Sequence, residues 1–154
     1  MEIHLIPGIA TRPVRFAVLW QHRPDCASCF LPEDDAPDAR HLGAYLPDGR
    51  LVGVCTLLAQ APTHYPDAVP AGRRPYRLRA MATLPDVRGT GVGAALVRRA
   101  IAEAAACGAD FLWFDAREAA FGFYERMGLR YLSEPFDIAP IGKHRVMGGE
   151  VGGG

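Results

Sequence analysis

Three groups of residues in this sequence have types and spacings that could do chemistry. The first is "VRGTGVGAALV", in which Gly89, Gly91 and Ala94 stand in the spacing G-x-G-x-x-A, a pattern that also satisfies the dinucleotide fingerprint. The second is "DAREAAFGFYERMGL", which brings Asp115, Arg117 and Tyr124 into one short stretch; a tyrosine hydroxyl can serve as a general acid. The third is scattered: His41, His64, His144 and the acidic run Glu33, Asp34 and Asp35 are groups that could take a proton from a substrate.

Glycines at the head of a helix let backbone approach a ligand, and the unpaired N–H groups of the first turn, with the helix dipole, favour an anion there. A phosphate-bearing cofactor is therefore one reading of the loop, and a glycine turn with no ligand is another. A Walker-type loop is excluded because no Gly-Lys-Ser or Gly-Lys-Thr follows. The dinucleotide reading has Asp110 near the place of a ribose-binding acid. Against it, Pro85, Asp86 and Arg88 separate the preceding strand from the first glycine, and too little chain remains to build the further β-α units of that fold.

The elements that must carry these residues follow from periodicity. "EIHLI" predicts a strand, after which Thr11 is expected to cap a helix with Pro13 in its first turn. Residues 21–40, with several prolines and most of the acidic cluster, read as a long loop. Asp48-Gly49 between two apolar runs predicts an antiparallel hairpin of 41–46 with 50–58. "YRLRAMAT" predicts a strand leading into the glycine loop. Val92, Leu96, Val97, Ala100, Ile101 and Ala104 recur at helical steps from Gly91 to Cys107, with Gly108 as a stop. "FLWFDA" predicts a buried strand, Arg117–Met127 a helix in which Asp115 and Glu118 could form a capping box, and "KHRVM" a closing strand. The alternation of strands and helices predicts an α/β domain with a mixed sheet.

A chain of 154 residues suits one domain, expected over 1–148, with 149–154 as a frayed tail. Its 49% apolar and 22% charged content is that of a globular protein. Seventeen basic and 17 acidic residues leave no net charge to steer the chain onto nucleic acid or an anionic membrane. The longest apolar run, "LVGVCTLLAQA", is far short of the ~20 residues that span a bilayer. "MEIHLIPG" lacks the basic start and apolar core of a signal peptide, so a cytoplasmic protein is expected. Cys26 and Cys29 form a C-x-x-C without the second pair of ligands that a structural zinc needs, and no metal is expected.

Taken together, the loop and the later motif resemble the GNAT superfamily of N-acetyltransferases. Arg88, Gly89, Thr90, Gly91, Val92 and Gly93 match its pyrophosphate loop, and Asp115, Ala116, Arg117, Phe123, Tyr124, Gly128 and Leu129 match its second signature. The likeness runs from about Val14 to Met147, with two departures: Asp115 stands where related sequences often carry Asn, and Leu129 replaces the usual Phe.

The resemblance implies a mostly antiparallel central sheet of about six to seven strands flanked by helices and splayed at the acetyl-CoA site. It implies acetyl-CoA-dependent transfer to a primary amine of a small-molecule or amino-acid-like acceptor, and a catalytically silent acyl-CoA-binding module is the alternative. By position, the backbone of Met81, Ala82 and Thr83 would grip the pantetheine and the thioester carbonyl. The loop from Arg88 through Ala94 would hold the pyrophosphate, although Arg88 could equally be a surface charge. Arg117 would touch cofactor or substrate, Tyr124 would be the general acid, and His144 would border the acceptor. Asp115 is either a helix cap or a ligand contact, the general base is open among the candidates above, and a homodimer is compatible with the family.

Overall fold

The computed structural model describes residues 1–152, which divide into two compact units, Met1–Leu58 with Leu78–Ala100, and Ala59–Arg77 with the chain from Ile101 onward.

In the first unit, β1 (Glu2–Ile6) is followed by a 3-10 turn, Gly8–Thr11, that runs straight into α1 (Arg12–Val18). Thr11 does not cap this helix. Its backbone is already helical, so its buried hydroxyl donates back to the Gly8 carbonyl at 2.6 Å instead of accepting from the first turn. Residues 21–39 form the expected loop, with one short 3-10 turn at Cys26–Ser28. β2 (Arg40–Tyr45) and β3 (Leu51–Leu58) make the predicted hairpin, with Asp48 Oδ1 accepting from the Arg50 N–H in the turn. β1 lies antiparallel to β2, and β4 (Pro75–Thr83) continues the order β1-β2-β3-β4. α2 (Val92–Ala106) lies close on β3: a Cβ at Gly53 would come within 2.7 Å of Leu96 Cδ1. Leu96, Val97 and Ala100 are fully buried, as the helical spacing predicts, and full burial of each large side chain stabilises by about 1.5–3 kcal/mol.

The second unit holds the first residues of β4, then β5 (Phe111–Arg117), α3 (Phe121–Arg126), β6 (Arg130–Tyr131), β7 (Phe136–Ile138) and β8 (Gly142–Glu150). Its order is β4-β5-β8-β6, with β7 also paired to β8. β5 and β8 are antiparallel from Phe111↔Glu150 to Arg117↔His144. Trp113, Ala68 and Val146 form its core, covered by Tyr65, Val69, Leu132 and Phe136.

Eight strands among the described residues exceed the six to seven expected. β6 and β7, of two and three residues, are too short to show a period of two, and they exist because β8 offers them a hydrogen-bonding edge. The tail is also corrected. β8 continues through Glu150, and Val151 is buried with its N–H bonded to the Asp110 carbonyl at 3.1 Å, so backbone pairing holds Gly149 to Val151 despite their composition; Gly153 and Gly154 lie outside the described residues.

One feature of the sheet bears on chemistry. The parallel ladder between β4 and β5 covers only Pro75–Arg77 against Phe111–Trp113, although β4 goes on to Thr83 and β5 to Arg117. Beyond the ladder, Ala80 has φ +52, the one positive φ at a non-glycine among the described residues. Such a conformation costs a side chain about 1–2 kcal/mol and bends the strand immediately before Met81, Ala82 and Thr83.

Candidate active site

The glycine loop is built by a short detour. β4 ends at Thr83, a 3-10 turn spans Pro85–Val87, and Gly89 (φ +82) and Gly91 (φ +92) then take conformations that favour glycine. Nothing lies within 4 Å of the point where a Cβ would stand on either residue, so the outer side of the loop is open. Thr90 closes the turn by donating its hydroxyl to the Val87 carbonyl, and buried Val92 anchors the head of α2. The first bond of this helix runs from the Ala95 N–H to the Gly91 carbonyl at 3.0 Å. The N–H groups of Val92, Gly93 and Ala94 therefore stand in the turn that helix geometry leaves without intrahelical acceptors. An open, glycine-flanked helix start of this kind fits an anion. Arg88 is exposed, with one guanidinium nitrogen 3.4 Å from the Thr83 carbonyl.

The dinucleotide alternative fails on two counts. The 3-10 turn stands between strand and glycine, and Asp110 is tied to backbone, accepting from the Arg74 N–H at 2.7 Å.

On β5, alternation sends neighbouring side chains to opposite faces. Phe114 packs on Tyr124, with ring centroids 4.3 Å apart, and Phe123 meets Tyr124 at 5.0 Å, so Tyr124 is 8% exposed. The other face carries Trp113 and Asp115. Asp115 does not cap the last helix: the cap position of α3 is Ala120, that of the 3-10 turn Glu118–Ala120 before it is Arg117, and no side chain bonds at either. Glu118 instead lies 3.4 Å from Lys143.

Asp115 is engaged by two partners. His64 Nε2 is 2.8 Å from its Oδ1, and Arg77 donates to its Oδ2 at 3.3 Å while lying over the Trp113 ring at 4.8 Å. The carboxylate oxygen can only accept, so His64 donates from Nε2, and in the neutral ring the lone pair is then on Nδ1. The His64 ring is flanked by Tyr65 at 5.3 Å, Phe136 at 5.5 Å and Trp113 at 5.9 Å. His144 stacks on Phe136 at 6.0 Å; it is buried and donates from Nδ1 to the Gly142 carbonyl at 2.7 Å. Arg117 is exposed at the end of β5, opposite His144.

Of the remaining candidate bases, Asp35 is exposed, and His41, Asp34 and Glu33 are engaged within the structure. His41 is buried, with Nδ1 on the Thr56 hydroxyl and Nε2 on the Asp34 carbonyl. Asp34 receives both guanidinium nitrogens of buried Arg15, at 2.7 and 2.9 Å, and Arg15 also reaches Thr56. Glu33 lies 3.8 Å from Arg79. The acidic run is thus partly a buried anchor for the long loop, not a free field for a cation. Sequence reasoning missed both this network and the pairing of His64 with Asp115, because only tertiary contact joins their members. Among the described residues no group of three or more His, Cys, Asp or Glu could hold a metal ion, and no helix is long and apolar enough to cross a membrane.

With this geometry in view, comparison with known proteins is informative. A model of the Acetyltransferase (GNAT) family matches residues 10–129. The chain is 33% identical over 147 residues to the uncharacterized N-acetyltransferase YitI of Bacillus subtilis (strain 168), covering 96% of this chain and 94% of that protein. Among solved structures it is similar to FeeM, an N-acyl amino acid synthase from uncultured soil microbes, with TM-score 0.77, 13% identity, and coverage of 97% of this chain and 90% of that one. It is also similar to an aminoglycoside 6'-N-acetyltransferase complexed with coenzyme A, with TM-score 0.72, 16% identity, and 97% of each chain covered. At these identities the two structures bear on the fold alone.

Proposed function

The chain belongs to the Acetyltransferase (GNAT) family, and from that premise we propose that it moves an acetyl group from acetyl-CoA directly to a primary amine of a small-molecule or amino-acid-like acceptor. The observation that carries this reading is the open loop from Arg88 through Ala94 at the head of α2, with glycines at its two positive-φ positions, 89 and 91. Its amides and the helix dipole suit the coenzyme A pyrophosphate, with Arg88 beside them.

In this reading the backbone of Met81, Ala82 and Thr83, just past the bend at Ala80, holds the pantetheine and polarises the thioester carbonyl. Arg117 contacts cofactor or substrate, and His144 borders the acceptor. Tyr124 protonates the departing thiolate. A phenol near pKa ~10 can do this for a thiol near ~8.5 with a modestly uphill transfer. An amine acceptor is in keeping with the relatives, whose names describe N-acetylation and N-acyl amino acid synthesis.

The test has two stages. Acetyl-CoA should raise the melting temperature and NADPH should not; the reverse would overturn the reading. A panel of phenethylamine, tryptamine, spermidine, glycinamide and kanamycin is then assayed for release of free thiol. Turnover of any of these supports the enzyme, whereas tight acetyl-CoA binding without thiol release from any of them favours the silent acyl-CoA-binding module.

A further inference from the structure

We propose that His64 is the general base of the transfer, its Nδ1 taking the proton from the acceptor's ammonium group, with Asp115 as the residue that positions its ring; this role rests on the acetyl-transfer reading above.

The hydrogen bond from Nε2 to Asp115 Oδ1, at 2.8 Å, sets the tautomer. Nδ1 has no hydrogen-bond partner among the described residues, and the side chain is 35% exposed, so an acceptor can reach that lone pair. The groups facing the ring are Asp115 and Trp113 from β5, Tyr65 from its own loop and Phe136 from β7. Arg77 from β4 meets the second oxygen of Asp115, and His144 of β8 stacks on Phe136. Among the histidines weighed above, His41 has both nitrogens engaged and His144 is 4% exposed. A histidine held on a carboxylate with its other nitrogen open is an arrangement suited to proton transfer.

Position supports the same role. Arg77 and Trp113 form the last rung of the β4–β5 ladder, and Asp115 stands two residues further along β5 on the face of Trp113. The base thus sits where the two strands cease to pair. Phe114, between Trp113 and Asp115, points to the opposite face and onto Tyr124. His64, held on Asp115, and Tyr124, packed on Phe114, are therefore carried by alternate residues of β5.

The protons balance. The ammonium gives one to His64 Nδ1, and the amine nitrogen attacks the carbonyl carbon to form the C–N bond. As the C–S bond breaks, its electron pair leaves on sulfur, which takes a proton from Tyr124. The nitrogen loses its second proton, which restores the tyrosine, and His64 releases its own to solvent.

His64→Gln keeps a donor near the Nε2 position and removes the base. With the fastest amine of the panel, kcat/KM at pH 7 should fall ~100-fold or more, while acetyl-CoA affinity and melting temperature stay at wild-type values. The deficit should shrink as pH rises toward the pKa of the amine, which then arrives unprotonated; a purely structural role gives a deficit that is flat with pH. Nitrogen NMR of the His64 ring should show the proton on Nε2 in the wild type, and a mixture of tautomers in Asp115→Asn with kcat/KM lowered ~10-fold. Equal turnover by wild type and His64→Gln, a flat deficit, or an Nδ1–H tautomer in the wild type overturns the base role and leaves acetyl transfer standing. A wild type that binds acetyl-CoA yet acetylates no amine overturns both.

Discussion

His64 Nε2 and Asp115 Oδ1 lie 2.8 Å apart although 51 residues separate them in the chain. The same carboxylate, 16% exposed, meets Arg77 through its other oxygen. Asp115→Ala leaves both partners facing a partly buried gap. It should cost about 1–3 kcal/mol, read as a lower urea midpoint, whereas Asp115→Asn, which keeps the shape and one acceptor, should cost less.

Tyr124→Phe tests the acid without disturbing the packing on Phe114 and Phe123. Acetyl-CoA affinity should be unchanged and kcat should fall ~100-fold, within the range for a lost general acid. A kcat equal to that of the wild type would remove Tyr124 from the chemistry.

Asp34 carries an acid-dependent part of the stability. Burial pushes its carboxyl up, but the Arg15 hydrogen bonds, the Leu31 N–H and the Arg15 and His41 charges outweigh burial and hold it below its ordinary value. A depressed folded pKa means that the unfolded chain takes up the proton first. The contribution is therefore complete above the unfolded value of about 3.9 and is lost as pH falls below it through the folded value. Asp34→Asn strands the buried Arg15 charge and should cost about 3–5 kcal/mol at neutral pH. Its stability should also lose part of the dependence on pH below 4 that the wild type shows in denaturant titrations.

Gly148 pairs with Trp113 across β5 and β8, and a Cβ there would overlap the Leu112 carbonyl oxygen and crowd the Trp113 backbone. The β5 backbone cannot yield as a flexible side chain would. Gly148→Ala should therefore destabilise by at least 3 kcal/mol, seen as lost soluble yield or a melting temperature many degrees lower. Gly91→Ala meets open space and only the cost of positive φ, about 1 kcal/mol. Its larger effect should be weaker acetyl-CoA binding, measured by calorimetry.

Glu150 and Arg130 form a two-pronged pair at 2.6 and 2.9 Å. The hydrogen bonds from Arg130, then the Glu150 backbone N–H and the charges of Arg130 and Arg73, hold the carboxyl down at about 2 against the opposing effect of burial. Carbon NMR should show it ionised throughout the range where free glutamates titrate, and Arg130→Gln should return its midpoint upward.

The elements that sequence periodicity made legible are those whose information is local. The 41–58 hairpin follows from alternating apolar residues around Asp48-Gly49, and α2 follows from its apolar spacing and the glycine after it. β6 escaped because two residues carry no period and take their strand conformation from the edge of β8. Gly149 to Val151 escaped for the same reason: composition predicts fraying, and pairing overrides it.

Thr11 and Asp115 show how local rules fail. Each has the chemistry of a helix cap beside a helix start. Thr11 enters its helix already in helical conformation and bonds backward to Gly8. Asp115 lies within β5, where alternation turns it toward His64 and Arg77. A side chain accepts the partner that the fold brings closest, and a rule that counts three residues along the chain cannot see one many residues away.

The sequence alone determined the glycine loop, the helix it opens and the strand, turn and helix that carry Tyr124, because backbone preferences and apolar spacing act within a few residues. Tertiary structure decided which titratable groups are spent and which stay open. It buried Asp34 and His41 in the Arg15 network, set Asp115 on His64 and left that ring partly exposed, since strand pairing and burial bring together side chains that have no relation along the chain.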